Sequence, residues 1–199
     1  MRSIRWSVAA AGIAALAICG CYTGPSAGGP SKSAFVINDF KSRQPVEVAI
    51  LPLTIAAPSF PRAGDAKLRA HLYRALIAKG YSPLALDYVD GRVSGLFGGR
   101  SADPPVPIDA LRSSLDADGF LLVEVQKSES GASAKGGGWR LAAQVKLLEA
   151  RTGTTLFDQT ATTTLDVSAD SNGNVSDRDL DDAMQRFASQ LVVRLPNKT

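Results

Sequence analysis

The chain has 199 residues, of which 45% are apolar, 21% charged and 7% aromatic, enough to enclose one hydrophobic core of ordinary size. Its formal charge is +3, but Arg2 and Arg5 lie in an amino-terminal leader, and without them 20 basic residues face 19 acidic ones. A body so evenly balanced lacks the basic surface with which proteins neutralise phosphates, so no nucleic-acid partner is expected. Cysteine occurs twice, at Cys19 and Cys21, which excludes an internal disulfide framework and thiol chemistry beyond residue 21. A lone histidine, His71, leaves no histidine-rich ligand set, and no metal or other cofactor is expected.

The leader begins "MRSIRW" and continues into the apolar "SVAAAGIAALAI", Ser7 to Ile18. A positive start followed by an apolar run shorter than the ~20 residues that cross a bilayer marks a signal peptide over residues 1–20. The next residues, "ICGC", resemble the lipobox of bacterial lipoproteins, with aliphatic Ile18 three places before Cys21 and small Gly20 directly before it. Cys19 departs from the usual pattern at the tolerant middle place, and it fits poorly as the acceptor because bulky Ile18 precedes it. The resemblance implies that the Cys21 thiol is diacylated, with palmitate-type chains, that residues 1–20 are removed, and that the new amino terminus is acylated. Several chains together hold firmly, at about 0.8 kcal/mol per buried methylene. Tyr22, where aspartate often marks inner-membrane retention, points to the outer membrane with the domain facing the periplasm, or to the cell membrane of a host without an outer one. An ordinary cleaved signal peptide is the plainer alternative. "YTGPSAGGPSKS" follows and is too rich in Gly, Pro and Ser to build a core, so residues 21–33 read as a tether and 34–199 as one globular domain.

Within the domain, "AFVINDF" (Ala34 to Phe40) predicts an edge strand. "VEVAILPL" (Val46 to Leu53) is an unbroken apolar run and predicts a strand covered on both faces. "DAKLRAHLYRALIAKG" predicts a helix that starts at Asp65 and ends at Gly80, with Leu68, Leu72, Ala75 and Leu76 inward and Lys67, His71 and Arg74 on the polar side. Tyr81 to Val89 predicts a second strand, weakened by Pro83, and residues 90–107 a long loop. A short helix over 107–118 and a strand over 119–128 come next. "WRLAAQVKLLEA" (Trp139 to Ala150) has helical propensity, but the tight "RTG" turn into the Thr-rich 154–167 favours a hairpin of two strands. Ser176 and Asp179 form a variant capping box ahead of Leu180, Ala183, Met184, Phe187, Leu191 and Leu195, and Pro196 closes that helix. The order β-α-β-α-β-β-β-α predicts an α/β (α+β) domain, three-layer-like, with helices packed on a mixed sheet of about five strands.

Few residues suggest chemistry. His71 has no nucleophile beside it and reads as a solvated surface residue. "SADSNGNVSDRD" (Ser168 to Asp179) sets Asp170, Asn172, Gly173 and Asp179 at calcium-loop places, yet the first place is Ser168 and the last lacks a glutamate; a polar loop before a capped helix explains the same residues. In the 90–107 loop, Leu96, Phe97 and Arg100 are candidate partner contacts, with Leu96 and Phe97 alternatively folded onto the core.

"VAILPL" (Val48 to Leu53), "LRAHLYRALIAKGYSPL" (Leu68 to Leu84), "LDADGFLLVEV" (Leu115 to Val125) and "VKLLEARTGTTLFD" (Val145 to Asp158) together resemble a group of bacterial envelope lipoproteins. The group includes the periplasmic domain of the curli secretion channel, the amino-terminal domain of TolB and activators of penicillin-binding proteins. Glu149, Thr152, Gly153 and Phe157 occupy the places of its strand, acidic residue, "TG", strand pattern. The resemblance implies a non-enzymatic accessory that binds envelope proteins and membrane lipid through Cys21, or, as an alternative, a homo-oligomeric subunit of an export assembly.

Overall fold

In the computed structural model, residues 34–97, 107–131, 138–166 and 175–198 are described. The elements are β1 (Phe35–Val36), α1 (Phe40–Arg43), β2 (Glu47–Ile50), β3 (Thr54–Ile55), α2 (Arg62–Ala78), β4 (Ser82–Pro83), α3 (Leu86–Val93), α4 (Ile108–Ser114), β5 (Gly119–Gly131), β6 (Gly138–Glu149), β7 (Thr155–Asp166) and α5 (Asp177–Val192). They form a mixed sheet in the order β1-β7-β6-β5-β2-β4, with β3 continuing alongside β5. The class is the expected α/β, with seven strands rather than about five: the two-residue β3 is too short for a periodicity reading, and the edge strand expected at 34–40 stood outside the predicted element order.

The crossovers explain the layers. β2 pairs in parallel with β4 on one side and with β5 on the other. Crossovers of one hand that step in opposite directions place their helices on opposite faces of the sheet. Accordingly, α2 packs with one apolar cluster, through Leu68, Leu72 and Leu76 against Val48, Ile50 and Leu121. α3 and α4 join a second cluster on the other face, through Val89, Val93, Leu111 and Leu115 against Ala49, Leu51 and Phe120. Alternate residues of "VAIL" thus serve two cores, which is why that run has no polar face.

From β5 onward the chain builds hairpins. β5, β6 and β7 pair antiparallel, with a bulge between Val125 and Lys127. α5 then returns to the α2 face and buries Leu180, Ala183, Met184, Phe187 and Leu191. The Ser176 side chain accepts a hydrogen bond from the Asp179 backbone N–H at 3.1 Å, so the predicted cap is present. Gly80 and Gly153 have φ of +87° and +71°, which only glycine adopts at little cost, and each ends its element as predicted.

Two predicted elements differ. α2 begins at Arg62, after Pro61, rather than at Asp65; proline's fixed φ suits a helix start without any side-chain cap. The strand predicted over 81–89 shrinks to β4, and α3 occupies the following residues and the start of the predicted loop. Pro83 is tolerated in β4 because this edge strand needs no donor there, while the neighbouring Ser82 and Leu84 amides bond to the Val46 and Val48 carbonyls at 3.0 Å. Val89 and Val93 are four apart, and burying them against the sheet, with Leu86 packed on the α2-side cluster, overrides the strand-like reading of "LALDYV".

Candidate functional site

The amino-terminal corner is built by β1, α1 and the β6–β7 turn. β1 pairs antiparallel with β7, Phe35 opposite Asp158 and Val36 opposite Phe157, and the Ile37 amide extends the ladder to the Leu156 carbonyl at 3.0 Å. α1 buries Phe40 in the core and turns Arg43 toward Glu149. Arg43 Nη2 donates to Glu149 Oε2 at 2.5 Å and to Thr152 Oγ1 at 3.1 Å, and the Thr152 hydroxyl donates to Glu149. The hydrogen bond from Arg43, followed by that from Thr152, holds the Glu149 carboxyl below its ordinary value of 4.5, overcoming the opposing effect of burial. Glu149, Thr152 and Gly153, the residues that carried the sequence resemblance, therefore latch the entering chain to the end of the sheet.

Beside this latch lies an open groove of about 430 Å³, lined by Arg43, Pro45, Val46, Arg112, Asp118 and Glu149 among others. Its charged groups are largely engaged. Asp118 Oδ2 accepts from the Val46 and Glu47 amides at 3.1 Å, satisfying the start of β2. Arg112 donates to Asp109 Oδ1 at 2.6 Å and to the Arg151 carbonyl at 2.7 Å. The groove is thus open, with its charged groups compensated by their neighbours.

Two buried polar residues of α2 escaped the sequence reading. His71 is 4% exposed, not solvated, and its Nε2–H donates to Asp181 Oδ1 at 3.0 Å across the α2–α5 contact. Lys67 bridges to Asp177 and Asp181 at 3.1 and 3.7 Å. The His71 hydrogen bond is the main cause that holds the Asp181 carboxyl below its ordinary value of 3.8. Arg69 is 8% exposed and donates through Nη1 to Asp90 Oδ2 at 2.9 Å and through Nη2 to the Ile50 carbonyl at 3.0 Å. β4 ends before it can serve Ile50, so the guanidinium supplies the missing donor and pins α2 to α3 around the sheet edge. Both residues had a signal: His71 lies three after Leu68 and Arg69 three before Leu72, so both sit at core spacing.

Of the predicted site residues, Leu96 and Phe97 are half-buried and pack against the α3–α4 cluster. Arg100, the lipobox Ile18, Cys19 and Gly20 with acceptor Cys21, and Ser168, Asp170, Asn172 and Gly173 of the calcium-like stretch lie outside the described residues. Asp179 is described, and its amide serves the α5 cap. Among the described residues no group of three or more His, Cys, Asp or Glu is placed to hold a metal. Among them, too, no helix is long and apolar enough to cross a membrane.

No family model matches the chain, and no curated protein matches it. Solved structures do. The crystal structure of lipoprotein GNA1162 from Neisseria meningitidis superposes with a TM-score of 0.53 at 18% identity, covering 75% of this chain and 99% of that one. The two chains share a fold. The same fold occurs in the hypothetical protein CT253 from Chlamydia trachomatis, at a TM-score of 0.51, 12% identity and coverages of 75% and 94%. A variant of PelC from Paraburkholderia phytofirmans, crystallised as a dodecamer, matches at 0.50 and 13%, covering 84% of this chain and 96% of that one. The fold expected from "VAILPL" and the Glu149–Thr152–Gly153 turn is therefore one that solved bacterial proteins, a lipoprotein among them, also adopt.

Proposed function

We propose that this chain is a lipid-anchored, non-enzymatic accessory protein of the bacterial envelope, held to the outer membrane through acylated Cys21 and binding envelope proteins on its periplasmic side. The observation that carries the reading is the agreement between the "ICGC" lipobox and a fold shared with a bacterial lipoprotein. Neither feature depends on the other, since the lipobox lies outside the residues that define the fold. The open groove, whose charged groups are compensated, supports a role in contact rather than in turnover. In a host without an outer membrane the same anchor holds the domain at the cell membrane.

Intact-mass spectrometry of the protein from its native host tests the anchor. The expected product starts at Cys21 and carries the mass of diacylglycerol plus an amide-linked acyl chain; Cys21→Ser yields an unacylated or unprocessed chain. A mature protein that retains Met1, or that has an unmodified Cys21, overturns the reading.

A second reading is a homo-oligomeric subunit of an export assembly, favoured by the fold shared with a dodecameric protein. Native mass spectrometry of detergent-extracted protein separates the two: a closed ring supports the second, and a monomer over a wide concentration range supports the first.

A further inference from the structure

We infer that the β1 corner of the domain rests on the bilayer surface, with the Phe35 ring as its apolar contact. The inference rests on the proposed anchor at Cys21. Phe35 is 50% exposed, although its neighbours Ala34, Val36 and Ile37 all pack against the main core. Pairing with β7 fixes this outcome. Val36 shares the core face with Phe157, so the strand's alternation turns Phe35 to the opposite face beside Asp158, where no described helix lies. A phenyl ring half in water forgoes the burial its neighbours gain, and an apolar zone within reach restores it.

The chain's own connectivity supplies the occupant. Twelve residues lie between Cys21 and Ala34, so the first described residue lies no further than about 45 Å from the acyl chains. A link of that length keeps Phe35 beside the bilayer, so its contact with lipid needs no separate association step. Among the described residues the other exposed large apolar side chains are Val46 at 46%, Ile77 at 51%, Tyr88 at 39% and Val193 at 62%, all further along the chain from Cys21 than Phe35. The charges in the Phe35 row neutralise each other: Lys146 lies 3.8 Å from Asp158, which also accepts from Gln144. The contact is therefore apolar rather than electrostatic, and its partner is the interfacial zone of the bilayer irrespective of headgroup charge.

The test uses lipidated protein bound to phosphatidylcholine vesicles, with Phe35→Trp introduced in a Trp139→Phe background, which leaves one indole once the leader is removed. Brominated phosphatidylcholine should quench roughly half of that emission, while Ile77→Trp in the same background stays unquenched. Neither anionic phosphatidylglycerol nor salt should alter the result. On the unaltered protein, a nitroxide lipid should broaden the amide signals of Phe35 and Val36 ahead of those of Ile77 and Val193. An unquenched indole at position 35 on protein that co-floats with vesicles overturns the inference and leaves the anchor standing. A concentration-dependent blue shift without quenching assigns the ring to a second copy and overturns it too. Protein that does not co-float overturns the anchor and the inference together.

Discussion

The half of the sheet made by β2, β4 and the start of β5 carries helices on both faces, whereas the half made by β6 and β7 carries described helices on one. In the first half, every residue from Val48 to Leu51 is buried, and polar side chains survive only where a defined partner meets them, as Arg69 does at Asp90 and Ile50. In the second, β6 and β7 alternate: Leu141, Ala143, Val145 and Leu147 face α2 and α5, while Arg140, Gln144 and Lys146 face away among Asp158, Thr162 and Thr164. The two halves show how one domain can combine a doubly covered parallel unit with an antiparallel meander that leaves a polar face open.

Six substitutions sharpen this contrast. The largest effects fall on the two apolar layers. Phe120→Ala on the α3–α4 side and Phe187→Ala on the α5 side each remove a fully buried ring and should cost about 3–5 kcal/mol in urea unfolding. Hydrogen exchange should distinguish them, Phe120→Ala accelerating α3 and α4 first and Phe187→Ala accelerating α5 and β7. Equal acceleration throughout both variants would mean that the halves open as one unit.

A smaller loss is expected at the strut between the layers. Asp90→Ala leaves the buried Arg69 guanidinium with only the Ile50 carbonyl, and the loss should be about 2–3 kcal/mol by the same unfolding assay. A change near zero would show that α3 is held by its Val89–Val93 stripe alone.

Acid separates the latch from the helix seam. Glu149 and Asp181 both have carboxyls held below their ordinary values. A depressed folded-state value stabilises the fold above the unfolded-state value, and that contribution is lost as pH falls through the folded one. Wild-type stability should therefore decline below pH 4.5, and Glu149→Gln and Asp181→Asn should each flatten part of that decline while leaving its neutral-pH side level. Unfolding midpoints measured between acid and neutral pH check this, and an unchanged acid limb in Glu149→Gln would remove the latch from the account.

The smallest effect belongs to the open face. Lys146→Ala should change stability by less than about 0.5 kcal/mol, because its link to Asp158 is long and solvated. A loss several times larger would show that this face is covered in the folded protein.

Much of this was legible in the residues. The continuous run at Val46–Leu53 and the alternation across 139–165 each announced their half of the sheet, and Gly80, Gly153 and the Ser176–Asp179 cap marked boundaries that the backbone confirms. α3 was not legible, because Val89 and Val93 acquire a helical role only when the sheet face beneath them exists. The same holds for His71, whose polar type suggested water while its place three residues after Leu68 put it in the α2–α5 seam.

Local chemistry alone determined the class of fold and most element boundaries, because periodicity, capping residues and turn glycines act over a few residues. Only the tertiary structure decided which arginines are structural, where the amino-terminal segment joins the sheet, and which apolar ring the fold leaves exposed. Those outcomes depend on contacts between Arg43 and Glu149, Arg69 and Asp90, and Phe35 and Asp158. Such partners lie far apart along the chain and meet only after the layers have packed, so no local window of the sequence contains both of them.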